Sequence, residues 1–267
     1  MTSAPITGGP GAGAPVTRAR PSIQMILTSL LRADLTVLTK NRRSLVISVA
    51  LPIILLITTD STQGTNRLGG AFFVIGLCTA YGLAATSILG YGLTVARDRE
   101  QGVFQRLRVT PAPTWAIMGS RLAVQVIANL IIALVVLILG SAIHNVTFSV
   151  GQYLLFLLVS ILGGAVFLGI GQAMVGLLKS ADTVNAAARI IFVILIFLGL
   201  FGQSGVLGST WESISQWTPV GVVMTLFAGV LNLSAWGLRE TLCVVACIGY
   251  TVFFAAIGIR WFQWEAR

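Results

Sequence analysis

The chain has 267 residues, of which 56% are hydrophobic and only 9% charged, with mean hydropathy +0.92 and net charge +9. A water-soluble domain carries about 25% charged residues, so an ordinary solvated surface is excluded and the chain is read as an integral membrane protein. Its apolar runs are continuous rather than alternating, which excludes strand-type spans and predicts an all-α, polytopic bundle.

The opening stretch, residues 1–20, is rich in Gly, Ala, Pro and Thr and is expected to be a disordered tail. It lacks a basic start followed by a short apolar core and cleavage site, so no secretory signal is expected. Next, Ile23, Ile26, Leu27, Leu30 and Leu31 share one helical face, while Gln24, Thr28, Arg32, Thr36 and Lys40 form a polar row on the other. This pattern predicts an interfacial helix over 22–43, too polar to span and ending at Lys40, Arg42 and Arg43.

Six apolar segments follow, at about 44–59, 69–96, 118–143, 152–178, 188–207 and 238–260. The first contains Pro52, which membrane helices tolerate when neighbours satisfy the backbone. Between the fifth and sixth, residues 208–237 hold a further apolar stretch with Pro219, Gly221 and Gly229. It reads as an outer re-entrant or interfacial segment, since a seventh full span would place the termini on opposite sides. With six spans, 15 of the 17 basic residues fall on one side, and only Arg67 and Arg239 on the other. The positive-inside rule then puts both termini in the cytoplasm and explains the net charge without nucleic acid. Trp115, Trp261 and Trp264 fall near the inner boundary and Trp211, Trp217 and Trp236 near the outer one. Cys78, Cys243 and Cys247 lie in apolar runs without a His or acidic cluster, which reads as packing rather than a disulfide or metal site.

One segment departs from this pattern. Between the second and third spans, residues 97–113 carry six charges within twelve positions: Arg97, Asp98, Arg99, Glu100, Arg106 and Arg108. Glu100, Val103, Phe104 and Leu107 are spaced along one face of a short helix, with Gln101, Gln105 and Arg108 on the other; Pro111 ends it. Two readings fit an amphipathic helix here: one lying on the inner leaflet with its arginines on anionic headgroups, and one docking a cytoplasmic partner through its apolar face.

The stretch from Arg97 to Leu122, "RDREQGVFQRLRVTPAPTWAIMGSRL", resembles the loop of type-2 ABC transporter permeases, the membrane subunits of drug, lipid and polysaccharide exporters. Glu100, Gly102, Arg106, Leu107, Arg108, Thr110 and Pro111 follow that family's order, while Val103 and Phe104 replace its usual threonine-leucine. The interfacial helix, the proline-containing first span and the segment with "TPV" before the last span extend the resemblance over essentially the whole chain. The resemblance implies that the loop is a cytoplasmic coupling helix contacting a separate ABC ATPase, with Lys179 and Asp182 of the fourth-to-fifth connection as a smaller second contact. It also implies two ATPase copies and a second permease copy, in a homodimer or a heterodimer. The cargo would be hydrophobic or amphipathic, such as a drug, lipid or polyketide-like molecule, exported across a bacterial plasma membrane as in multidrug resistance.

The residues agree on the need for an external engine. Every acidic residue lies in a loop, a terminus or a span end, so the proton relay of an ion-coupled secondary transporter, the rival reading, is missing. No G-x-x-x-x-G-K-[ST] loop is present, so ATP and Mg are expected on the partner ATPase, with no cofactor, metal or catalytic residue in this chain. Thr79, Thr86, Gln125, Asn129 and Gln203 are candidates for the substrate path, though inter-helix hydrogen bonding explains the same residues. Gly163, Gly164, Gly169 and Gly171 in the fourth span, with Gly199 and Gly202 in the fifth, suit close helix contact either within the chain or between two copies.

Overall fold

The computed structural model describes residues 23–40, 42–59, 70–108, 113–202 and 208–261. These are helical almost throughout, with no strand among them, and the protein is an all-α polytopic membrane protein. Helix α1 (Ile23–Lys40) leads into α2 (Arg42–Thr58), then α3 (Ala71–Glu100) and the short α4 (Val103–Arg108). After these come α5 (Thr114–Ile143), α6 (Val150–Leu177), α7 (Ala181–Gly202), α8 (Ser209–Gln216), α9 (Pro219–Leu231) and α10 (Leu238–Trp261).

Five helices, α3, α5, α6, α7 and α10, are long and apolar enough to cross a membrane. The segment around 44–59 is shorter, with an apolar stretch over Val49–Thr58 in which Leu56 is fully buried. α8 and α9 form a helix–break–helix bent by 84°. The break is built by Thr218, whose hydroxyl accepts a bond from the Gly221 N–H at 3.3 Å, and by Pro219 at the first position of α9, where a missing N–H costs nothing. α9 turns back into the bundle with Val220–Phe227 buried, and its last turn is tied down by Gln152, which donates to the Leu231 carbonyl at 3.0 Å.

α3 is the central post. Of its most apolar window 83% is buried, against 17% for α10. α9 and α2 pack on its first half, α5 and α6 along its middle, and α7 on its second half; α10 lies outside, along α6. Midway, over Ala85–Gly92, α3 widens into a π-helical segment, and α7 does the same over Leu198–Gly202. The second is held by Tyr81, whose hydroxyl donates to the Ile196 carbonyl at 2.6 Å.

The six glycines singled out in the fourth and fifth spans are all consumed by contacts inside the chain. A Cβ on Gly163 would meet Val223, on Gly164 Asn129, on Gly169 Phe254, on Gly171 the Ser87 carbonyl, on Gly199 Tyr81 and on Gly202 Ser215. Close packing within one copy therefore accounts for each of them.

α1 lies along α5. Its polar row is exposed at Gln24, Thr28, Arg32 and Thr36, while Leu27, Leu30, Leu31 and Asp34 are half-buried. Ser120 donates to the Asp34 carboxylate at 2.6 Å. Burial pushes this carboxyl above the usual carboxylate range, with the Ser120 bond and Arg121 pulling the other way.

Candidate functional site: a hub at the polar end of the bundle

The charged segment 97–113 begins inside a helix rather than in a loop. α3 does not stop at Ala96, where the apolar run ends; it continues as helix to Glu100. Hydropathy loses the helix here because four charged residues enter it, yet three of the four have partners on other elements, which make burial tolerable for Asp98 and Arg99, while Glu100 stays exposed.

Asp98 pairs with Arg121 on α5 at 2.6 Å, both side chains largely covered. Arg99 is 3% exposed and serves the C-terminus of α6. Its Nη1 donates to the Val175 carbonyl at 2.8 Å, and its Nη2 donates to the Leu178 and Lys179 carbonyls at 2.7 Å each. The last carbonyls of a helix have no partner within it and carry the negative end of its dipole; a planar guanidinium with five donors matches several at once. Glu100 serves the N-terminus of α7, its Oε1 accepting the Ala181 N–H at 2.6 Å. Beside it the Ser180 hydroxyl accepts the Thr183 N–H at 3.1 Å, and exposed Asp182 adds an acid in the first turn.

Glu100 is therefore not on the same helix as Val103, Phe104 and Leu107, which corrects the continuous face expected from spacing. Gly102 divides the two: its φ is +66°, the left-handed region, with its N–H donating to the Arg99 carbonyl at 3.2 Å. Its own carbonyl then accepts the Arg106 N–H at 3.1 Å and starts α4. A Cβ at Gly102 would meet only the Gln105 side chain, at 3.4 Å. Gly102→Ala is thus a test of backbone conformation alone, and it should cost about 1–2 kcal/mol, read as a lower thermal unfolding temperature of the purified chain.

In α4, Val103 is half-buried and Gln105 and Arg106 are exposed. The backbones of Phe104, Leu107 and Arg108 complete the helix, while Thr110 and Pro111 lie outside the described residues. Lys179 is exposed in the α6–α7 turn, its carbonyl already taken by Arg99. The structure thus brings Glu100, Gly102 and α4 together with Lys179 and Asp182 at one end of the bundle.

The substrate-path candidates lie elsewhere. Thr79 is buried and donates to the Ile75 carbonyl at 2.7 Å. Thr86, Gln125 and Asn129 are buried together: Asn129 Oδ1 accepts from Thr86 at 2.6 Å and from Gln125 at 3.4 Å, and its Nδ2 donates to Ser87 at 3.1 Å. This network pins the π segment of α3 to α5. Gln203 lies outside the described residues, and Pro219 and Gly221 build the break before α9 described above. The roles of Arg99, Ser180 and Ser87 escape sequence reasoning. Arg99 looked like one more topology-setting charge, and no local spacing connects it to carbonyls some eighty residues away in the chain.

A bundle of apolar helices around a central post, with a charged hub joining two turns at one end, is the frame of a multi-pass membrane protein. The ABC-2 type transporter family matches residues 26–232, and the chain belongs to that family. It is the transport permease of an ABC transporter, a membrane component rather than a catalytic enzyme, and the family associates with an ABC ATPase subunit. Among curated proteins it is similar to the "Putative transport permease YvfS" of Bacillus subtilis (strain 168), 21% identical over 192 residues, which cover 70% of this chain and 78% of that protein.

Proposed function

We propose that this chain is the permease of an ATP-driven exporter that moves a hydrophobic or amphipathic molecule, such as a drug, lipid or polyketide-like compound, out across a bacterial plasma membrane. Both termini lie in the cytoplasm, and two copies, identical or paired with a close relative, work with two copies of a separate ATPase that holds ATP and Mg. Nucleotide-driven closure of the ATPases acts on α4 and on the Lys179–Asp182 turn. The observation that carries this reading is the Ala181-to-Glu100 hydrogen bond, because it gathers both turns into one surface at one end of an otherwise apolar bundle. The distribution of charge supports it: among the described acids, Asp34, Asp98, Glu100 and Asp182 belong to this end, and Glu212 and Glu240 lie in first turns of α8 and α10. None sits at a mid-span position where a proton relay would place it. The path between the two copies would be bordered by α7, whose Ile190, Val193, Ile194 and Phe197 are exposed apolar residues; Thr86, Gln125 and Asn129 are candidates to reach that path when α3 and α5 separate.

The test is gentle purification of the full chain, asking whether a Walker-motif protein accompanies it, followed by reconstitution of the pair in vesicles with an amphipathic dye. Dye movement that requires ATP and survives an uncoupler is expected. Movement by the chain alone that collapses with the uncoupler would instead establish an ion-coupled secondary transporter.

A further inference from the structure

Three consecutive residues of α3 bind three different elements, and two of them do so with matched electrostatics. Arg99 places a positive charge on the negative end of α6, and Glu100 places a negative charge on the positive end of α7. Only Leu178–Ser180 separate those two helix ends, so the pair closes over the α6–α7 turn from both sides. α4 is connected to the same point through the Gly102 turn, whose two backbone bonds, Gly102 N–H to Arg99 and Arg106 N–H to Gly102, leave no free linker between them.

We propose that Arg99 and Glu100 are positioning residues that lock α4 and the α6–α7 turn into one rigid block, so that both surfaces offered to the ATPase move as a unit. This rests on the permease reading for its purpose, but the lock itself is a property of the chain alone. It also adds to the part Glu100 plays: the residue is exposed beside Lys179 and Asp182, yet one carboxylate oxygen is engaged by the Ala181 N–H, so it holds the turn as well as lying on the shared surface.

The lock is measured by the distance between spin labels on cysteines placed at Gln105 and Asp182, both exposed, in the full chain reconstituted in lipid nanodiscs. The native Cys78, Cys243 and Cys247 are 0–1% exposed and stay unlabelled. A single narrow distance distribution is expected, unchanged when the ATPase and nucleotide are added. Glu100→Ala should broaden it, with the open population rising roughly five- to thirtyfold, as expected from losing one capping contact. Glu100→Gln should restore the narrow peak, since its side-chain carbonyl still accepts the Ala181 N–H; a residue that merely filled space would show no such rescue. Arg99→Ala should broaden the peak too; if that variant does not fold, the Glu100 pair decides alone. A peak that stays narrow in Glu100→Ala, or one that shifts between nucleotide states in the unmodified background, overturns the lock. Failure of any ATPase to bind the unlabelled chain, with the Glu100 pattern as expected, would sink the ATPase-docking reading and leave the lock standing.

Discussion

Phe104→Asp combined with Leu107→Asp is expected to abolish association with the ATPase while leaving the helical bundle folded. The two positions are three apart on a six-residue helix, the spacing that puts neighbours on one face. Truncating two apolar anchors removes about 3–6 kcal/mol of contact energy, so affinity should fall by roughly 10²–10⁴-fold. Two carboxylates left at the contact add to that loss. The fold should survive because the described buried core lies in α2, α3, α5, α6, α7, α9 and α10, and the α4 residues Gln105 and Arg106 are exposed. Co-purification and a fluorescence titration with the ATPase measure the loss, and circular dichroism checks the bundle. If the doubly changed protein still retains its ATPase, α4 is not the docking helix. The alternative left open by the sequence pattern, a helix resting on anionic headgroups, would then gain ground, and vesicles with and without phosphatidylglycerol would separate the two.

Gly171→Ala should be among the most damaging single changes within the apolar bundle. A Cβ there would lie 2.8 Å from the Ser87 carbonyl oxygen, a backbone atom of the π segment, and could not be relieved by turning a side chain. Gly92 faces Gly171 across the same crossing: a Cβ added to Gly92 would lie 3.7 Å from the Gly171 Cα, so the two backbones approach closely there. Overpacking at such a point costs about 1–3 kcal/mol, and it acts where Asn129 pins Ser87, so α3 cannot shift without breaking that bond as well. The expected result is a melting temperature several degrees lower in detergent. Gly119→Ala is the control, exposed on α5 with nothing within 4 Å of the added carbon. It should be neutral or stabilising by about 0.5–1 kcal/mol, since alanine loses less freedom in a helix than glycine. Equal effects at the two sites would mean that the π segment tolerates displacement.

How much of this was legible beforehand follows from what each feature depends on. Long spans are written in hydropathy, and α3, α5, α6, α7 and α10 each overlap a segment identified from apolar runs alone. Their ends are not, because a helix continues through charged residues when distant partners receive them. α3 runs four residues past its apolar stretch to reach Arg121, Val175 and Ala181. α7 begins at Ala181, well before Ala188, because Ser180 and Glu100 cap it; serine followed by aspartate was read as a connection, although it is also a helix-start signal. The π segment of α3 leaves no trace in a 3.6-residue period, since it is fitted to the close approach of α6 and to the Thr86–Asn129–Ser87 network. For the polar residues of α3 and α5, the sequence supported two readings. In a single copy, hydrogen bonding between helices accounts for Thr86 and Asn129, with Gln125 joining them along α5.

The bonds made by Asp98, Arg99 and Glu100 also set an order of events during biosynthesis. Asp98 must wait for Arg121, and Arg99 and Glu100 must wait for Val175 and Ala181, so the hub closes only after some eighty further residues have left the ribosome. Until then the guanidinium of Arg99 has no carbonyls of α6 to receive it and stays hydrated. One arginine thus knows two surroundings in the life of the chain, water first and later the carbonyls of the finished bundle.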